Sequence, residues 1–236
     1  MPAQQIYECQ VECLRRPCGP IASHLTLGLR FRVPEDMPER ANIIVSEILG
    51  TGLLDEGVRP TVCDALARLA TKDAVFIPSG ARLLAQLVES TEMRAQSGVN
   101  QSLGFDLSAL TYLQAPLYRT RDVRQARYRS LSEVVELTRF NFAICEEPGI
   151  DTFKVKATAG GRIDAVIFWY DLVLDEHSTI STGVDSGTAH VGAWGQAVKF
   201  LDETVDVQMG AEGNIFVVHG MGGLDIRYAK KVAPSV

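Results

Sequence analysis

The stretch that decides the fold is residues 43–57, IIVSEILGTGLLDEG, in which a short apolar segment leads into two glutamates. Ile43 to Val45 is β-branched and uncharged, which is typical of a buried strand. Glu47 follows where that strand would end, and ligands of open α/β sheets bind outside the carboxyl ends of the strands. Three glycines allow the following loop to turn sharply, so Glu56 can return toward Glu47.

Two interpretations of Glu47 and Glu56 are open. In the first, both are solvated charges, as polar loop residues usually are. In the second, the two carboxylates face one pocket, where they would share a proton or bind a cation. A guanidinium group suits such a pair because its planar set of donors can bond two carboxylates at once.

The segment resembles the double-E loop of the protein arginine methyltransferases, in which two glutamates nine positions apart hold the substrate guanidinium. Glu47 and Glu56 have this spacing. Residues 74–78 and 85–90 are similar to the strands that open the β-barrel of that family, and the similarity extends from about residue 34 to 228. It is strongest to the type-seven, monomethylating branch. The resemblance implies that Glu47 and Glu56 are catalytic, in methyl transfer from S-adenosylmethionine to protein arginine.

A second segment, HVGAWGQAV at residues 190–198, resembles the family's threonine-histidine-tryptophan loop, which lies beside the double-E loop. Trp194 matches the tryptophan. Ala193 stands where the histidine would be; His190 could replace it from a nearby position, or no residue does. The resemblance implies substrate binding by Trp194 and His190, since guanidinium groups stack on aromatic faces. The alternative for Trp194 is a tryptophan of the barrel core.

Hydrophobic patterning divides the chain into two parts. An apolar stripe at helical spacing predicts a helix over residues 58–72, and short strands separated by turn signals follow from residue 75. Strands first mixed with a helix and then alone indicate two domains, with a boundary near residues 71–73. The many short strands after that boundary are typical of a closed or sandwiched sheet.

Combined with the resemblance, this pattern predicts the α/β remnant of a Rossmann-like methyltransferase domain followed by a mostly antiparallel β-barrel domain. The first domain covers residues 1–73, of which 1–33 are uncertain, and the substrate-binding barrel covers residues 74–236. An arginine-rich segment near residues 102–129 is predicted to form a helical arm. In the resembled family such an arm docks on a partner's cofactor domain; the alternative is a helical excursion with a solvated basic face.

Composition restricts the classes of partner. The 236 residues carry a net charge of −6, which disfavours nucleic acid and favours cationic partners such as arginine-rich protein tails. No apolar run approaches the roughly 20 residues that span a bilayer, and the N-terminus has no signal pattern. We therefore expect a cytoplasmic or nuclear protein without membrane contact.

Five cysteines, an odd number, argue against a disulfide framework. Cys9, Cys13 and Cys18, followed by His24, lack the paired spacing of zinc fingers and ribbons, so free thiols are favoured over a metal site. Cys63 lies beside the apolar face of the predicted helix and is most simply a small core residue. We therefore predict no metal.

The cofactor-binding part of the resembled family is incomplete in this sequence. The 42 residues before Ile43 contain only Gly19 and Gly28, so no Gly-rich loop is found there. The resemblance implies S-adenosylmethionine as cofactor, with its binding residues unknown. We expect a truncated arginine methyltransferase of doubtful activity on its own, with mono- and dimethylation both open, in a homodimer or heterodimer. The alternatives are a non-catalytic barrel-and-arm subunit that regulates an active methyltransferase, and a fragment that does not fold alone.

Overall fold

A small parallel sheet comes first along the chain and leads into the glutamate loop, residues 46–57. The computed structural model describes residues 7–8, 39–95, 97, 101–102, 105–106, 118–184 and 194–231. The sheet has the order β1-β2-β3 and consists of β1 (Tyr7–Glu8), β2 (Ala41–Val45) and β3 (Ala70–Ile77). Helix α1 (Val58–Arg68) connects β2 to β3, since parallel strands need a crossover.

Helix α1 begins directly after the glutamate loop. Gly57, in the left-handed conformation with φ 79°, precedes its first residue, a conformation that glycine adopts without steric cost. The predicted helix extended to residue 72, but the observed one ends at Arg68. The reason is strand pairing: Ala70 pairs with Ala41, so residues 70–72 belong to β3 instead.

The other main strands form two antiparallel sheets. The larger has seven strands, with a path β7-β13-β11-β4-β8, β12 paired to β11 and β9 paired to β4. These strands are β4 (Gly80–Glu89), β7 (Arg119–Arg121), β8 (Arg129–Ser130), β9 (Val135–Asn141), β11 (Gly161–Val173), β12 (Thr179–Ser181) and β13 (Gln196–Val207). The smaller sheet, β10-β14-β15, consists of β10 (Gly149–Lys156), β14 (Glu212–Gly220) and β15 (Gly223–Lys230). Short elements complete the description: α2 (Thr91–Ala95), the pair β5 (Gln101–Ser102) and β6 (Phe105–Asp106), and a 3-10 turn at Val123–Gln125.

Strand β11 lies at the centre of the larger sheet and is buried along most of its length. Its side chains alternate between two apolar clusters, as the period of a strand requires: Phe168 and Tyr170 lie in one, Ile167 and Trp169 in the other. The cluster around Tyr170 also includes side chains of the glutamate loop and α1, namely Leu49, Leu53, Leu54, Val58 and Val62. The parallel and antiparallel parts therefore share one core.

The mostly antiparallel architecture predicted for the second part is confirmed. Hydrogen bonding between the main described antiparallel strands forms two sheets rather than one ring. The change from parallel to antiparallel pairing falls at residues 78–79. Much of the predicted arm at residues 102–129 lies outside the described residues. Within the described part of the chain, no helix has the length and apolar character to cross a membrane.

A disulfide joins Cys63 of α1 to Cys145 in the loop between β9 and β10, with the two Cα atoms 4.8 Å apart. The prediction that Cys63 is simply a small core residue was therefore wrong, and the sequence analysis did not anticipate this bond. An odd cysteine count excludes complete pairing but not a single bond between residues 82 positions apart. Cys9, Cys13, Cys18 and His24 lie outside the described residues.

Candidate functional site

Buried leucines fix the path of the glutamate loop. Leu49, Leu53 and Leu54 are at most 2% exposed. The backbone closes tight turns through Leu53 N–H to Gly50 O (2.9 Å) and Leu54 N–H to Gly52 O (2.8 Å). Leu53 adopts φ 67°, an unusual left-handed conformation for a residue with a side chain, which its complete burial helps to hold. The loop is therefore anchored to the core between its two glutamates.

Glu47 and Glu56 lie exposed at opposite ends of this anchored segment. Both act on the same buried group, the phenol of Tyr170. Burial, followed by the negative charges of Asp55, Glu47 and Glu56, raises the pKa of Tyr170 far above its ordinary value. The loop thus brings three carboxylates within electrostatic reach of one hydroxyl, and this phenol remains a protonated hydrogen-bond donor.

Two aromatic side chains from the antiparallel sheet bond consecutive carbonyl groups of the loop. The Tyr170 hydroxyl donates to Gly50 O at 3.1 Å, and Trp194 Nε1 donates to Leu49 O at 2.6 Å. The two rings meet edge-on, with centroids 6.1 Å apart and planes at 65°. Strand β11 and the residues before β13 therefore determine where the middle of the glutamate loop lies.

Trp194 lies beside the glutamate loop, the position predicted from the sequence, and its side chain is partly buried. It serves in part as a core residue, because it packs against the larger apolar cluster. Its contact with substrate stays a prediction. His190, the other predicted substrate-binding residue, lies outside the described residues.

Asp55 is a site residue that sequence reasoning missed. Its Oδ2 accepts the Gly52 N–H at 3.4 Å, and a Cβ at Gly50 would lie 2.2 Å from its Oδ1. A Cβ at Gly52 would meet the ring of Tyr118 at 2.4 Å. Gly50 and Gly52 therefore allow the side chains of Asp55 and Tyr118 to lie close to the backbone. Of the three loop glycines, Gly57 has the left-handed φ. The adjacency of Asp55 and Glu56 was the available signal.

The three carboxylates concentrate negative charge near the end of β2. A cation with several donors can bond more than one of them. Among the described residues, no three or more His, Cys, Asp or Glu side chains are grouped so that they could hold a metal ion.

A second polar cluster holds the first turn of α1, and sequence reasoning missed it as well. Arg59 is only 5% exposed, although it lies on the helix. Its guanidinium donates to His219 Nδ1 (2.9 Å) and to the carbonyls of Glu147 (2.9 Å) and Glu146. His219 Nε2 lies 3.3 Å from Asp151 Oδ2. The sequence contained one signal of this burial: Arg59 lies between the apolar positions Val58 and Val62 of the helix.

Residues 79–219 match the family described as the arginine methyltransferase oligomerization subdomain, which is more than half of the chain. The chain belongs to the protein arginine methyltransferase family. The matched region extends from just before β4 into β14, so the antiparallel part of the structure carries the match. The family resemblance predicted from the glutamate loop is thereby confirmed.

Relatives in this methyltransferase family come from bacteria and insects. An arginine N(omega)-methyltransferase of Streptomyces achromogenes subsp. streptozoticus is 32% identical over 176 residues, which cover 74% of this chain and 48% of the relative. Protein arginine N-methyltransferase 7 of Drosophila erecta is 29% identical over 164 residues, 64% of this chain and 24% of that protein. The chain thus spans about half the length, or less, of these relatives.

The fold of this family member is also found in a solved structure. A chain of the Trypanosoma brucei PRMT1 enzyme-prozyme heterotetrameric complex with AdoHcy superimposes with a TM-score of 0.63 at 20% sequence identity. The similarity covers 84% of this chain and 65% of that one. At this identity the likeness establishes a shared fold.

Proposed function

We propose that this chain is the substrate-side part of a protein arginine methyltransferase, in which Glu47 and Glu56 hold the guanidinium of a protein arginine. The observation that carries the proposal is that the backbone between the two glutamates is anchored in the core, where Leu49, Leu53 and Leu54 are at most 2% exposed. Tyr170 and Trp194 also bond the backbone of the loop between Glu47 and Glu56, through one hydrogen bond each. The backbone from which the two carboxylates project is therefore fixed, which favours a preorganised cation site.

In the proposed reaction the protein mainly positions its substrate. Glu47 and Glu56 accept hydrogen bonds from the guanidinium, orient one nitrogen and stabilise the positive charge. Trp194, at the wall of this site, is proposed to limit the arrangement of the arginine side chain, with His190 as a second contact. The family's methyl donor is S-adenosylmethionine, which supplies the methyl group.

The sequence before β2 has no Gly-rich motif of the kind that holds that cofactor. Residues 1–42 contain two glycines and no Gly-x-Gly, so no phosphate-loop-like turn can be assigned. We leave the cofactor-binding residues unassigned and derive no step through the cofactor. The proposed binding of substrate by Glu47 and Glu56 does not depend on which polypeptide holds the cofactor.

The domain organisation follows from the same proposal. Strands β1 to β3 with α1 are interpreted as the last part of a Rossmann-like domain, because they pair in parallel around a crossover helix. The two antiparallel sheets form the proposed barrel domain, with an arm proposed near residues 102–129, of which Arg119–Arg121 and Arg129 pair into the larger sheet. The predicted division was residues 1–73 and 74–236, but β3 belongs to the parallel sheet as far as Ile77, so the proposed boundary lies at residues 78–79. The proposed location of the protein is the cytoplasm or nucleus.

A regulatory, non-catalytic subunit is the second candidate. The matched family region is an oligomerization subdomain, and it covers most of the antiparallel part of this chain. Such a subunit would pair with an active arginine methyltransferase and need no cofactor cradle of its own. A homodimer is the corresponding expectation for the enzyme.

A methyl-transfer assay distinguishes the two candidates. The chain is incubated with S-adenosylmethionine and an arginine-rich protein tail, alone and with an added active arginine methyltransferase. Turnover by the chain alone that falls at least 10-fold in Glu47→Gln and Glu56→Gln supports the enzyme. Turnover seen only as stimulation of the added enzyme supports the subunit. The exposed Glu176 provides the matched control, and Glu176→Gln is expected to leave either activity unchanged. No turnover and no stimulation would contradict both.

A further inference from the structure

The position of α1 determines the position of Glu56. The helix begins at Val58, two residues after Glu56, with Gly57 alone between them. A helix of 11 residues moves as a unit, so a shift of its first turn would displace the end of the glutamate loop. Whatever fastens α1 therefore also fastens one of the two proposed substrate-binding carboxylates.

Two attachments lie one helical turn apart on α1 and reach the same segment. Arg59 donates to the carbonyls of Glu146 and Glu147, and Cys63 is bonded to Cys145. Residues four apart lie on one face of a helix, so the two attachments act side by side. The segment they reach connects β9 to β10 and belongs to the antiparallel part.

One of the two bonded cysteine residues is exposed to solvent. Cys145 is exposed and Cys63 is partly buried, next to a narrow cavity lined by Val62, Phe140 and Ile144. Disulfide exchange proceeds by attack of a thiolate on a sulfur, so access to one sulfur is what the reaction needs. Exposed disulfides are the ones that reductants open.

We propose that the Cys63–Cys145 bond is a redox-sensitive latch that fastens α1, and with it the end of the glutamate loop, to the antiparallel part. A dithiol reductant opens it. Its first thiolate attacks Cys145 Sγ, the S–S bond breaks and Cys63 leaves as a thiolate that takes up a proton. The second thiol of the reductant then displaces Cys145, so two cysteine thiols and one reductant disulfide are formed.

Opening the latch does not detach the helix completely. Arg59 keeps its bonds to the Glu146 and Glu147 carbonyls and to His219, so α1 retains one of its two attachments. The expected effect is a local loosening of residues 46–68, with little change in the central strand β11. This effect concerns backbone protection, so it is measured without any arginine ligand and stands apart from methyl transfer.

The test is amide hydrogen exchange of the oxidised and the dithiothreitol-reduced chain, followed by mass spectrometry. The redox state is verified by recovery of a cross-linked peptide containing Cys63 and Cys145. Reduction is expected to speed exchange over residues 46–68 at least 10-fold and to leave residues 161–173 unchanged. The variant Cys63→Ser/Cys145→Ser is expected to match the reduced chain under both conditions.

The matched control replaces the remaining cysteines, Cys9, Cys13 and Cys18, by serine, and is expected to respond to reductant as the unaltered chain does. Equal exchange over residues 46–68 in the oxidised and reduced chain would overturn the proposal. So would failure to recover the cross-linked peptide after treatment with oxidised glutathione. If the double variant does not fold, the comparison of oxidised with reduced unaltered chain decides the outcome.

Discussion

At the residue scale, the hydroxyl of Tyr170 links the antiparallel core to the glutamate loop. It donates to Gly50 O, and three carboxylates act on it from the loop side. Nothing in the sequence singles out this phenol, because it lies in the apolar run of β11 and its partner is 120 residues away. Glu47, Glu56 and Trp194, by contrast, are recognisable because they form local motifs.

The first prediction concerns alkaline stability. The pKa of Tyr170 is raised in the folded chain, whereas in the unfolded chain it is about 10. The folded state therefore keeps a proton that the unfolded state loses, and the stability this group contributes is complete below pH 10 and is lost as the pH rises further. Tyr170→Phe is expected to reduce the slope of unfolding free energy against pH above 10 by up to about 1.4 kcal/mol per pH unit.

Urea unfolding between pH 9 and 11.5 measures this slope. Burial also raises the pKa of Tyr228, but that side chain is only partly buried. Tyr228→Phe is therefore the comparison variant and is expected to change the slope less. An unchanged slope in Tyr170→Phe would show that the phenol is not kept protonated by its surroundings.

The second prediction concerns the loop glycines. A Cβ at Gly52 would lie 2.4 Å from the ring of Tyr118, which packs edge-on against Phe168 and cannot move freely. Gly52→Ala is expected to lower the free energy of unfolding by about 1–3 kcal/mol. Gly222, which has nothing within 4 Å of an added Cβ, is the control position. Equal free energies of unfolding for Gly52→Ala and Gly222→Ala would contradict the close packing of Tyr118 against Gly52.

At the element scale, α1 connects β2 to β3 and is attached to the antiparallel part through Arg59 and Cys63. Its start was predicted correctly, because glycine punctuation and apolar periodicity are local signals. The end of the helix was predicted incorrectly, because residues 70–72 belong to β3. That strand pairs with β2, and Ala70 contacts Ala41, which is distant in sequence. The same reason hid the disulfide and the Arg59 cluster, whose partners lie 82 to 160 residues away.

The third prediction concerns Arg59. Arg59→Lys removes the planar fork that bonds two carbonyls and His219, and leaves partly buried acceptors without donors. The expected loss of unfolding free energy is about 2–4 kcal/mol, measured by urea denaturation. The exposed ion pair of Arg68 with Asp64 on the same helix provides the control, and Arg68→Lys is expected to cost much less than Arg59→Lys. Similar losses in both variants would contradict a special attachment at Arg59.

At the scale of the whole molecule, family membership rests mainly on the antiparallel part, whereas the proposed chemistry rests on the loop before α1. The antiparallel part and this loop are packed together, since Tyr170 and Leu53 belong to one apolar cluster. The antiparallel class of the second part could be predicted from short strands and turn signals. The separation into two sheets could not, because strand order depends on long-range pairing.

The most direct test of the guanidinium site is calorimetric titration of the chain with an arginine-rich peptide and with the same peptide carrying lysine at each arginine. The account predicts binding of the arginine peptide that weakens about 10- to 100-fold in both Glu47→Gln and Glu56→Gln, because each loses a charge-assisted pair. It also predicts weaker binding of the lysine peptide, whose ammonium cannot bond both carboxylates in a plane. Equal affinities for the two peptides, with no effect of either substitution, would contradict the site.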